Sequence, residues 1–404
     1  MFKWIKMPKG ADMVTLGAVY ILIFFGLLMI ASASMSFSAS SLDDLSSVAK
    51  SQIMDLVFVV LKQGVFLFGG YLLMIFITRY FKVYYLSSPV FDLILWAMAG
   101  LLGITFFTGY VAGGARAWIS ISIPFIGGIT IQPSEFAKIL MVLLVAGKIA
   151  GIKADKDYKD ILKVPVGFFV LYSVIIIFFQ SDFGSFAVLF FITMICFMAC
   201  SHRSLTKIQF RLLIVGIIGM ALVFFLLHPI GTTFLSAFSD NYMIGRFLSA
   251  ANPFIDPYGD GYQLIKGLTA FASGGLYGLG FGNSFQKYTE FPAAGTDYIL
   301  AILVEELGFV GFLIVLICYV AIIYRFLIFA VRIKNQKAKV ILIGMAMYFF
   351  IHFVFNVGGV SGLIPLTGVP LLLISSGGSS TVAAMIAIGF GQSIIYRYRQ
   401  GEIE

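Results

Sequence analysis

The chain has 404 residues, of which 60% are hydrophobic and only 11% are charged, whereas soluble domains carry about a quarter charged residues. Apolar runs of about 17–25 residues recur along the chain, and each is long enough to cross a hydrocarbon core of about 30 Å. This composition excludes a soluble globular protein and predicts one polytopic membrane domain over residues 1–404.

The hydrophobic pattern predicts an all-α integral membrane protein with ten transmembrane helices. The spans are expected at residues 13–34, 56–77, 89–108, 133–150, 164–180, 184–200, 210–228, 297–324, 340–360 and 377–396. The first span is too long for the apolar core of a cleaved signal peptide, so we expect an uncleaved helix.

The distribution of Lys and Arg orients these spans. With ten spans, twenty of the 27 basic residues fall on one side, in the two termini and in the loops 78–88, 148–163, 201–211 and 325–339. The positive-inside rule then predicts that both termini are cytoplasmic. The net charge of +8 therefore reflects membrane topology, and we expect no nucleic-acid partner.

Seven basic residues remain on the outer side or inside the membrane, where the topology rule disfavours them. They are Lys50, Lys62, Arg116, Lys138, Arg246, Lys266 and Lys287. Either an anionic substrate or carboxylates of the protein itself would account for them.

Two loops on the outer side are long. Residues 109–132 are apolar but interrupted by Gly and Pro. Residues 229–296 form a large extracellular loop between the seventh and eighth spans, and loops of this length are usually functional or disordered. Because this loop is rich in Phe, Tyr, Leu and Gly, it can bury surface, and we expect short helices in it at the outer leaflet.

Ionisable residues occur in predicted spans, where a charge costs at least about 2.5–3.5 kcal/mol near the membrane centre. Glu135 and Lys138 share one face of the fourth span, and they either pair with each other or line a cavity. Asp182 precedes the sixth span, and it either caps that helix or serves a site.

The eighth span carries three acids. Asp297 stands at its outer start and either caps the helix or faces a site. Glu305 and Glu306 lie roughly 12 Å deeper and need protein partners, for which Lys62 and Lys138 are candidates.

These acids and bases predict an outward-facing polar cavity. An enzyme acting on a lipid-linked anionic substrate would need such a cavity, and so would a transporter with a proton relay. The long outer loop favours the enzyme. A transporter more often shows internal repeats, and no repeat between the halves is visible in this sequence.

Separated motifs resemble the SEDS (shape, elongation, division and sporulation) family, typified by RodA and FtsW. These are GGARAWISI with ITIQPSEFAKI (113–139), QSDFGS (180–185), RFLSAANPFIDPYGDGYQL (246–264), TDYILAILVEELGF (296–309) and GLIPLTGVPLLLISSGGSS (362–380). The resemblance extends from about residue 55 to 390, and the family's ten-span topology agrees with the spans above.

The resemblance implies a peptidoglycan glycosyltransferase that polymerises lipid II, the undecaprenyl-pyrophosphate-linked disaccharide-pentapeptide, at the outer face of the bacterial cytoplasmic membrane. It also implies a divalent cation, Mg or Mn, and a class B penicillin-binding protein as the transpeptidase partner. The family's essential acid falls on Asp297, and its other functional polar residues fall on Glu135, Lys138 and Asp182.

The chain departs from the family pattern before the eighth span. Relatives usually read Pro-Glu-Ala-His-Thr-Asp, whereas residues 292–297 read Pro-Ala-Ala-Gly-Thr-Asp; Ser181 and Ser376 likewise replace the usual Pro and Tyr. A mechanism that rests on the aspartate survives this change. The segment GFGNSFQKYTEFP (280–292) resembles the division and sporulation branches more than the rod-elongation branch, so we expect septal wall synthesis with divisome proteins.

The resulting hypothesis is an inverting displacement in which the acceptor GlcNAc 4-hydroxyl attacks C1 of the donor MurNAc. Such a step needs a base at the nucleophile and positive charge at the leaving pyrophosphate. Asp297 is the expected base, and Glu305 and Glu306 are expected to be structural in the membrane. The expected substrate-binding residues are Arg116, Glu135, Lys138, Asp182, Arg246, Lys266 and Lys287. A rod-elongation polymerase and a lipid II flippase are the alternatives, and a scaffold that recruits the transpeptidase comes third.

Overall fold

The computed structural model describes residues 6–35, 45–112, 114–123, 127–152, 156–236, 242–289 and 291–404. Within these residues the chain is mainly helical. The helices are α1 (Met13–Ala33), α2 (Leu45–Tyr80), α3 (Pro89–Thr108), α4 (Pro133–Lys148), α5 (Tyr158–Val174), α6 (Phe183–Met198), α7 (Thr206–Leu227), α8 (Pro229–Ser236), α9 (Tyr242–Ala251), α10 (Tyr262–Gly274), α11 (Ile299–Arg332), α12 (Gln336–Val360) and α13 (Gly378–Arg399). Lys3, Gly113, Lys153 and Glu290, which belong to the patterns above, lie outside the described residues.

Eight helices in the described ranges are long and apolar enough to cross a membrane, namely α1, α2, α3, α5, α7, α11, α12 and α13. The prediction of a multi-pass helical membrane protein is therefore confirmed. Helices α4 and α6 coincide with the predicted fourth and sixth spans, but each has 16 residues and is therefore about 24 Å long. The count of ten spans stays a prediction.

The core of the bundle surrounds α12, which packs against α4, α6, α11 and α13. Small residues allow this close packing. A side chain at Gly344 of α12 would meet Val142 of α4 and the thiol of Cys196 of α6. The second halves of α4 and α6 are thereby held beside the first half of α12.

Residues 109–132, predicted only as a long outer loop, contain three strands. These are β1 (Tyr110–Ala112), β2 (Ala115–Ile123) and β3 (Gly127–Ile131), paired antiparallel in the order β1-β2-β3. The alternation of Ile and Ser along β2 has the two-residue period of a strand. Arg116 N donates to Gln180 O over 2.8 Å, which joins the sheet to the turn before α6.

The predicted short helices of the 229–296 loop are confirmed as α8, α9 and α10, followed by a 3₁₀ turn at Gln286–Tyr288. Helix α10 packs against α11. This loop therefore covers the end of the bundle at which α11 begins.

Helix α11 is broken at Gly308, whose φ of 68° and ψ of −169° are not helical. The segment 275–280 fills the break with four main-chain hydrogen bonds. These are Leu279 N to Glu305 O (2.9 Å), Gly280 N to Glu306 O (3.0 Å), Phe309 N to Gly275 O (2.9 Å) and Val310 N to Leu276 O (3.1 Å). Only glycine suits position 308, because a Cβ there would lie 2.3 Å from Leu276 O and a positive φ disfavours other residues.

Candidate active site

Asp297 lies two residues before α11 and is half-buried. The N-cap of α11 is Tyr298, and no side chain caps it, so the capping alternative for Asp297 is wrong. Among the described residues, none donates a hydrogen bond to the Asp297 carboxylate, although its main-chain oxygen accepts one from Asn356. The carboxylate is thus available to a bound molecule.

The surroundings of Asp297 increase its basicity. Burial raises the pKa of Asp297 to about 6, while Arg246 acts to lower that pKa and Asp182 acts to raise it. A carboxylate with such a pKa is still ionised at pH 7 and is closer to the value that suits a general base. Asp182 and Arg246 therefore lie close enough to Asp297 to act on its charge.

Asp182 caps α6, so the capping alternative is confirmed for this residue. One carboxylate oxygen accepts from Ser185 N at 3.0 Å, and the other accepts from Gln132 Nε2 at 2.8 Å. The start of α6 also touches the 361–377 segment, because a Cβ at Gly184 would lie 2.1 Å from Thr367 O. Asp182 is therefore a fixed negative charge within the site.

Arg246, on α9, borders a cleft beside Asp297. Its Nη1 donates to Leu366 O over 2.7 Å. The cleft has a volume of about 350 Å³. It is lined by Arg246, Ser249, Ala250, Tyr258, Gly259, Asp260, Tyr262, Gln263, Leu264, Pro292, Tyr298, Gly359, Ile364 and Leu366. Tyrosine rings, an amide and a guanidinium are groups that bind sugars and phosphates.

Two other predicted basic residues lie at the same end of the molecule. Arg116 is exposed on β2, whose main chain contacts the turn before Asp182. Lys266 is half-buried on α10; its ammonium donates to Thr289 Oγ1 at 2.9 Å and stands 5.4 Å from the ring centroid of Tyr262 in the cleft. The Lys266 ammonium thus lies beside the cleft, and the main chain of Arg116 lies beside the turn that leads to Asp182.

Glu135 and Lys138 are each 1% exposed and form an ion pair of 2.7 Å, so the pairing alternative is confirmed. Glu135 Oε2 also accepts from Tyr348 Oη at 3.3 Å and lies 3.8 Å from His352 Nε2. The Lys138 charge is neutralised inside the protein. Contact of this pair with a substrate stays a prediction.

The partner of Glu306 is Lys287, so the prediction of Lys62 or Lys138 is wrong. Lys287 Nζ lies 2.8 Å from Glu306 Oε1 and donates to Ser32 Oγ at 2.8 Å. Lys287 belongs to the 229–296 loop, but its side chain points into the protein and is only 3% exposed. The number of charges in a loop does not predict such burial. Its predicted role in phosphate binding stays a prediction, and the structure shows this ammonium already paired.

Glu305 is also fully buried and accepts several hydrogen bonds. The donors are Ser284 Oγ, Ser273 Oγ (3.3 Å), Phe285 N (3.1 Å) and Gln286 N (3.4 Å). The two glutamates thus hold the 3₁₀ turn of the outer loop against α11. The structural role predicted for them has a physical basis in these contacts.

Two site residues were missed in the sequence. Asn356 donates to the main chain of Asp297, and His352 contacts Pro370 O and approaches Glu135. They are four residues apart within an apolar span, and polar residues at that spacing share one helix face. The spacing of His352 and Asn356 in the sequence could therefore have predicted a polar surface on α12.

The chain matches a family model described as "Cell cycle protein", for FtsW, RodA and SpoVE, over residues 13–400. It is 32% identical over 387 residues to the probable peptidoglycan glycosyltransferase FtsW of Bacillus subtilis, covering 95% of this chain and 90% of that protein. It is 29% identical to the stage V sporulation protein E of the same organism, covering 94% of this chain and 95% of the relative.

Two solved structures share the fold. One, from a study of polymerization and crosslinking by a peptidoglycan synthase complex, has a TM-score of 0.69 at 22% identity and covers 96% of this chain and 98% of that one. The other is the rod shape determining protein RodA of Thermus thermophilus, with a TM-score of 0.61, 21% identity and 96% and 97% coverage. From the family match and these relatives, the chain belongs to the FtsW, RodA and SpoVE family of cell cycle proteins.

Proposed function

We propose that this protein is a peptidoglycan glycosyltransferase that polymerises lipid II into β-1,4-linked glycan strands. The names of its FtsW relatives support this activity. The observation that carries the proposal is the environment of the Asp297 carboxylate. This carboxylate is partly buried and receives no hydrogen bond from the described residues. Arg246, whose charge acts on Asp297, also lines the adjoining cleft.

The proposal includes ten spans with both termini in the cytoplasm. The clustering of twenty of the 27 basic residues on one side supports this topology. By the positive-inside rule, α8, α9, α10 and the cleft then lie at the outer face. Asp297 would meet the sugars of a lipid-linked substrate there, at the boundary between water and membrane.

The mechanism is a single displacement with inversion at C1 of the donor MurNAc. Asp297 accepts the proton of the acceptor 4-hydroxyl as that oxygen attacks, which is general-base catalysis. Arg246, together with Arg116 and Lys266, stabilises the negative charge that develops on the leaving pyrophosphate. Asp182 keeps the neighbourhood of Asp297 negative, and it thereby favours proton transfer to Asp297.

A divalent cation would add further positive charge at the pyrophosphate. The described residues contain no group of three or more His, Cys, Asp or Glu that could hold one, so the protein offers no closed cage there. Mg²⁺ commonly uses one or two carboxylates together with substrate phosphates. Asp182 fits that simpler mode, which leaves Asp297 to act as the base.

The broken helix α11 does not favour a transporter. Transporters use the free main-chain groups of discontinuous helices to bind ions and substrates. Here the groups around Gly308 are already bonded to segment 275–280. The flippase alternative therefore gains nothing from this break.

The proposed partner is a class B penicillin-binding protein, and the proposed setting is the division septum with other divisome proteins. Similarity to FtsW proteins and to a sporulation relative supports the division branch. A rod-elongation polymerase is the alternative within the family.

The test is polymerisation of labelled lipid II by the purified protein, with and without its class B penicillin-binding protein and divalent metal. Wild type should make glycan chains, and an equally folded Asp297→Asn variant should make none. If wild type makes no chains under any of these conditions, the enzyme proposal fails and lipid II translocation becomes the assay. If both proteins make chains, Asp297 is not the base.

A further inference from the structure

The residues just before α11 are held by their main chain. Three consecutive carbonyl oxygens accept hydrogen bonds from the other side of the site. The pairs are Ser376 N to Gly295 O (2.9 Å), Ser375 Oγ to Thr296 O (2.7 Å) and Asn356 Nδ2 to Asp297 O (2.8 Å). Two of the three donors are side chains, so substitution can remove them individually.

Asn356 joins the two sides of the site. Its side-chain nitrogen also donates to Val369 O over 3.0 Å, and the residue is 2% exposed. Both neighbours are carbonyl oxygens, which fixes the orientation of the amide because only its NH₂ group can donate. One amide thus ties the backbone of Asp297 to the segment that carries Gly368.

Gly368 stands beside the carboxylate itself. A Cβ at this position would lie 3.5 Å from Asp297 Oδ2. The bonds from Asn356 to both main chains therefore fix the distance between the Asp297 carboxylate and the wall of its site.

The hydroxyl of Ser375 also makes two hydrogen bonds to the main chain. Its hydroxyl accepts from Leu371 N at 2.8 Å while it donates to Thr296 O, and the residue is 1% exposed. The hydroxyl thus has one donor and one acceptor neighbour, and it cannot turn away without leaving a buried main-chain group unpaired.

The segment that is held also forms a turn of its own, in which Ala293 O accepts from Thr296 N at 3.0 Å and from Tyr298 N at 3.1 Å. Residues 293–295 read Ala-Ala-Gly and offer no polar side chain, and Ala293 has a φ of 57°. The carboxylate of Asp297 receives no hydrogen bond from the described residues. Main-chain bonds therefore carry most of the task of orienting the base.

We propose that Asn356 and Ser375 are positioning residues that hold Asp297 for catalysis, without contact to the substrate. This inference rests on the proposed function. A misplacement of about 1 Å at a reacting group can cost on the order of 10²-fold in rate. Loss of either donor should therefore lower kcat and leave KM for lipid II nearly unchanged.

The experiment compares Asn356→Leu and Ser375→Ala with matched changes in the same fold. Gln392 is buried and its amide bonds both N and O of Asp12 (2.7 and 3.1 Å), and Ser393 is buried and donates to Phe81 O (3.0 Å). Both lie roughly 20 Å along α13 from its first residue. Gln392→Leu and Ser393→Ala therefore remove the same groups away from Asp297.

The readouts are kcat and KM for labelled lipid II with the partner present, thermal unfolding, and hydrogen exchange of a peptide that covers residues 293–300. We expect kcat to fall about 10²-fold for Asn356→Leu and about tenfold for Ser375→Ala, with faster exchange in that peptide. The controls should stay within about threefold of wild type, a margin worth less than 1 kcal/mol of barrier.

A normal kcat in both site variants would overturn the proposal, as would equal losses in the matched controls or a rise in KM in place of the fall in kcat. If Asn356→Leu does not fold, the smaller Ser375→Ala change decides by the same criteria. An inactive wild type would instead refute the proposed function, and the exchange rates would still show whether the two donors hold residues 293–300.

Discussion

Two acidic regions lie eight residues apart on one stretch of chain and differ in almost every physical respect. Asp297 is half-buried and lies beside a cleft, and its carboxylate receives no hydrogen bond from the described residues. Glu305 and Glu306 are fully buried, and they accept bonds from an ammonium, hydroxyls and main-chain amides. Carboxylate groups on one stretch of chain therefore have different surroundings, one open to a bound molecule and the others hydrogen-bonded within the protein.

The difference shows how partners decide the role of a buried acid. A carboxylate surrounded by donors is stabilised in its charged form and resists protonation. A carboxylate that is desolvated without donors becomes a better base. Only the second kind is suited to take a proton from a sugar hydroxyl, and Asp297 is of that kind.

Removal of the Asp297 carboxylate should have the largest effect. Asp297→Asn keeps the size of the side chain and removes the base, so we expect polymerisation to fall by about 10²–10⁴-fold with normal folding. The exposed Asp157, whose side chain bonds only Tyr158 N at the start of α5 in the described structure, supplies the control Asp157→Asn. Comparable activity in the two variants would contradict the proposed division of roles.

Breaking the glutamate region should affect stability first. Glu306→Gln leaves the Lys287 ammonium buried without its counter-ion, and such changes cost about 3–5 kcal/mol. Lys287→Met should cost a similar amount, while the double variant should recover much of the loss because neither charge remains. Unfolding in mixed detergent and SDS micelles measures these values; additive losses in the double variant would show that the ion pair is not the source.

The pH dependence of activity should report Asp297. Since burial raises the pKa of Asp297 to about 6 and a base acts only when deprotonated, activity should be full above that pH. It should fall about tenfold per pH unit below it. Initial rates from about pH 4.5 to about pH 8 test this, and a midpoint near the ordinary aspartate value of about 4 would mean that Asp297 is hydrated like a surface acid.

A methyl group at Gly368 should have the smallest effect. Gly368 has a φ of 68°, so Gly368→Ala carries a strain of about 1–2 kcal/mol, and its methyl would touch Asp297 Oδ2. Gly282→Ala is the control, since Gly282 has a φ of 83° and open space around it. Both variants should lose similar stability, but only Gly368→Ala should lose activity, by roughly fivefold, or about 1 kcal/mol of barrier.

The sequence predicted the membrane helices well because they have a strong one-dimensional signal, and it also singled out Asp297, whose role as the base stays a prediction. Long apolar runs identify spans, and an acid at the outer start of a span is conspicuous. The short helices of the 229–296 loop were also expected, since its composition can bury surface.

Pairings between distant residues could not be predicted in this way. Nothing in the sequence separates Lys287 from the other outer cations, yet it pairs with Glu306 inside the protein. Asn356 shows the same limit: its polarity was visible, but its bonds to Asp297 O and Val369 O depend on how α12 meets the 361–377 segment. The strands of residues 110–131 were missed because Gly and Pro interrupt this segment, which made it resemble a loop.

The break at Gly308 gives α11 the geometry of a lever. The arm from Gly308 to Asp297 is about 16 Å long by helical rise. At Gly308, the pivot, four main-chain hydrogen bonds join α11 to the segment that follows α10. A rotation of about 10° at Gly308 would displace Asp297, at the other end of this arm, by about 3 Å. Because α10 also packs along this arm, a displacement of α10 would change the position of Asp297.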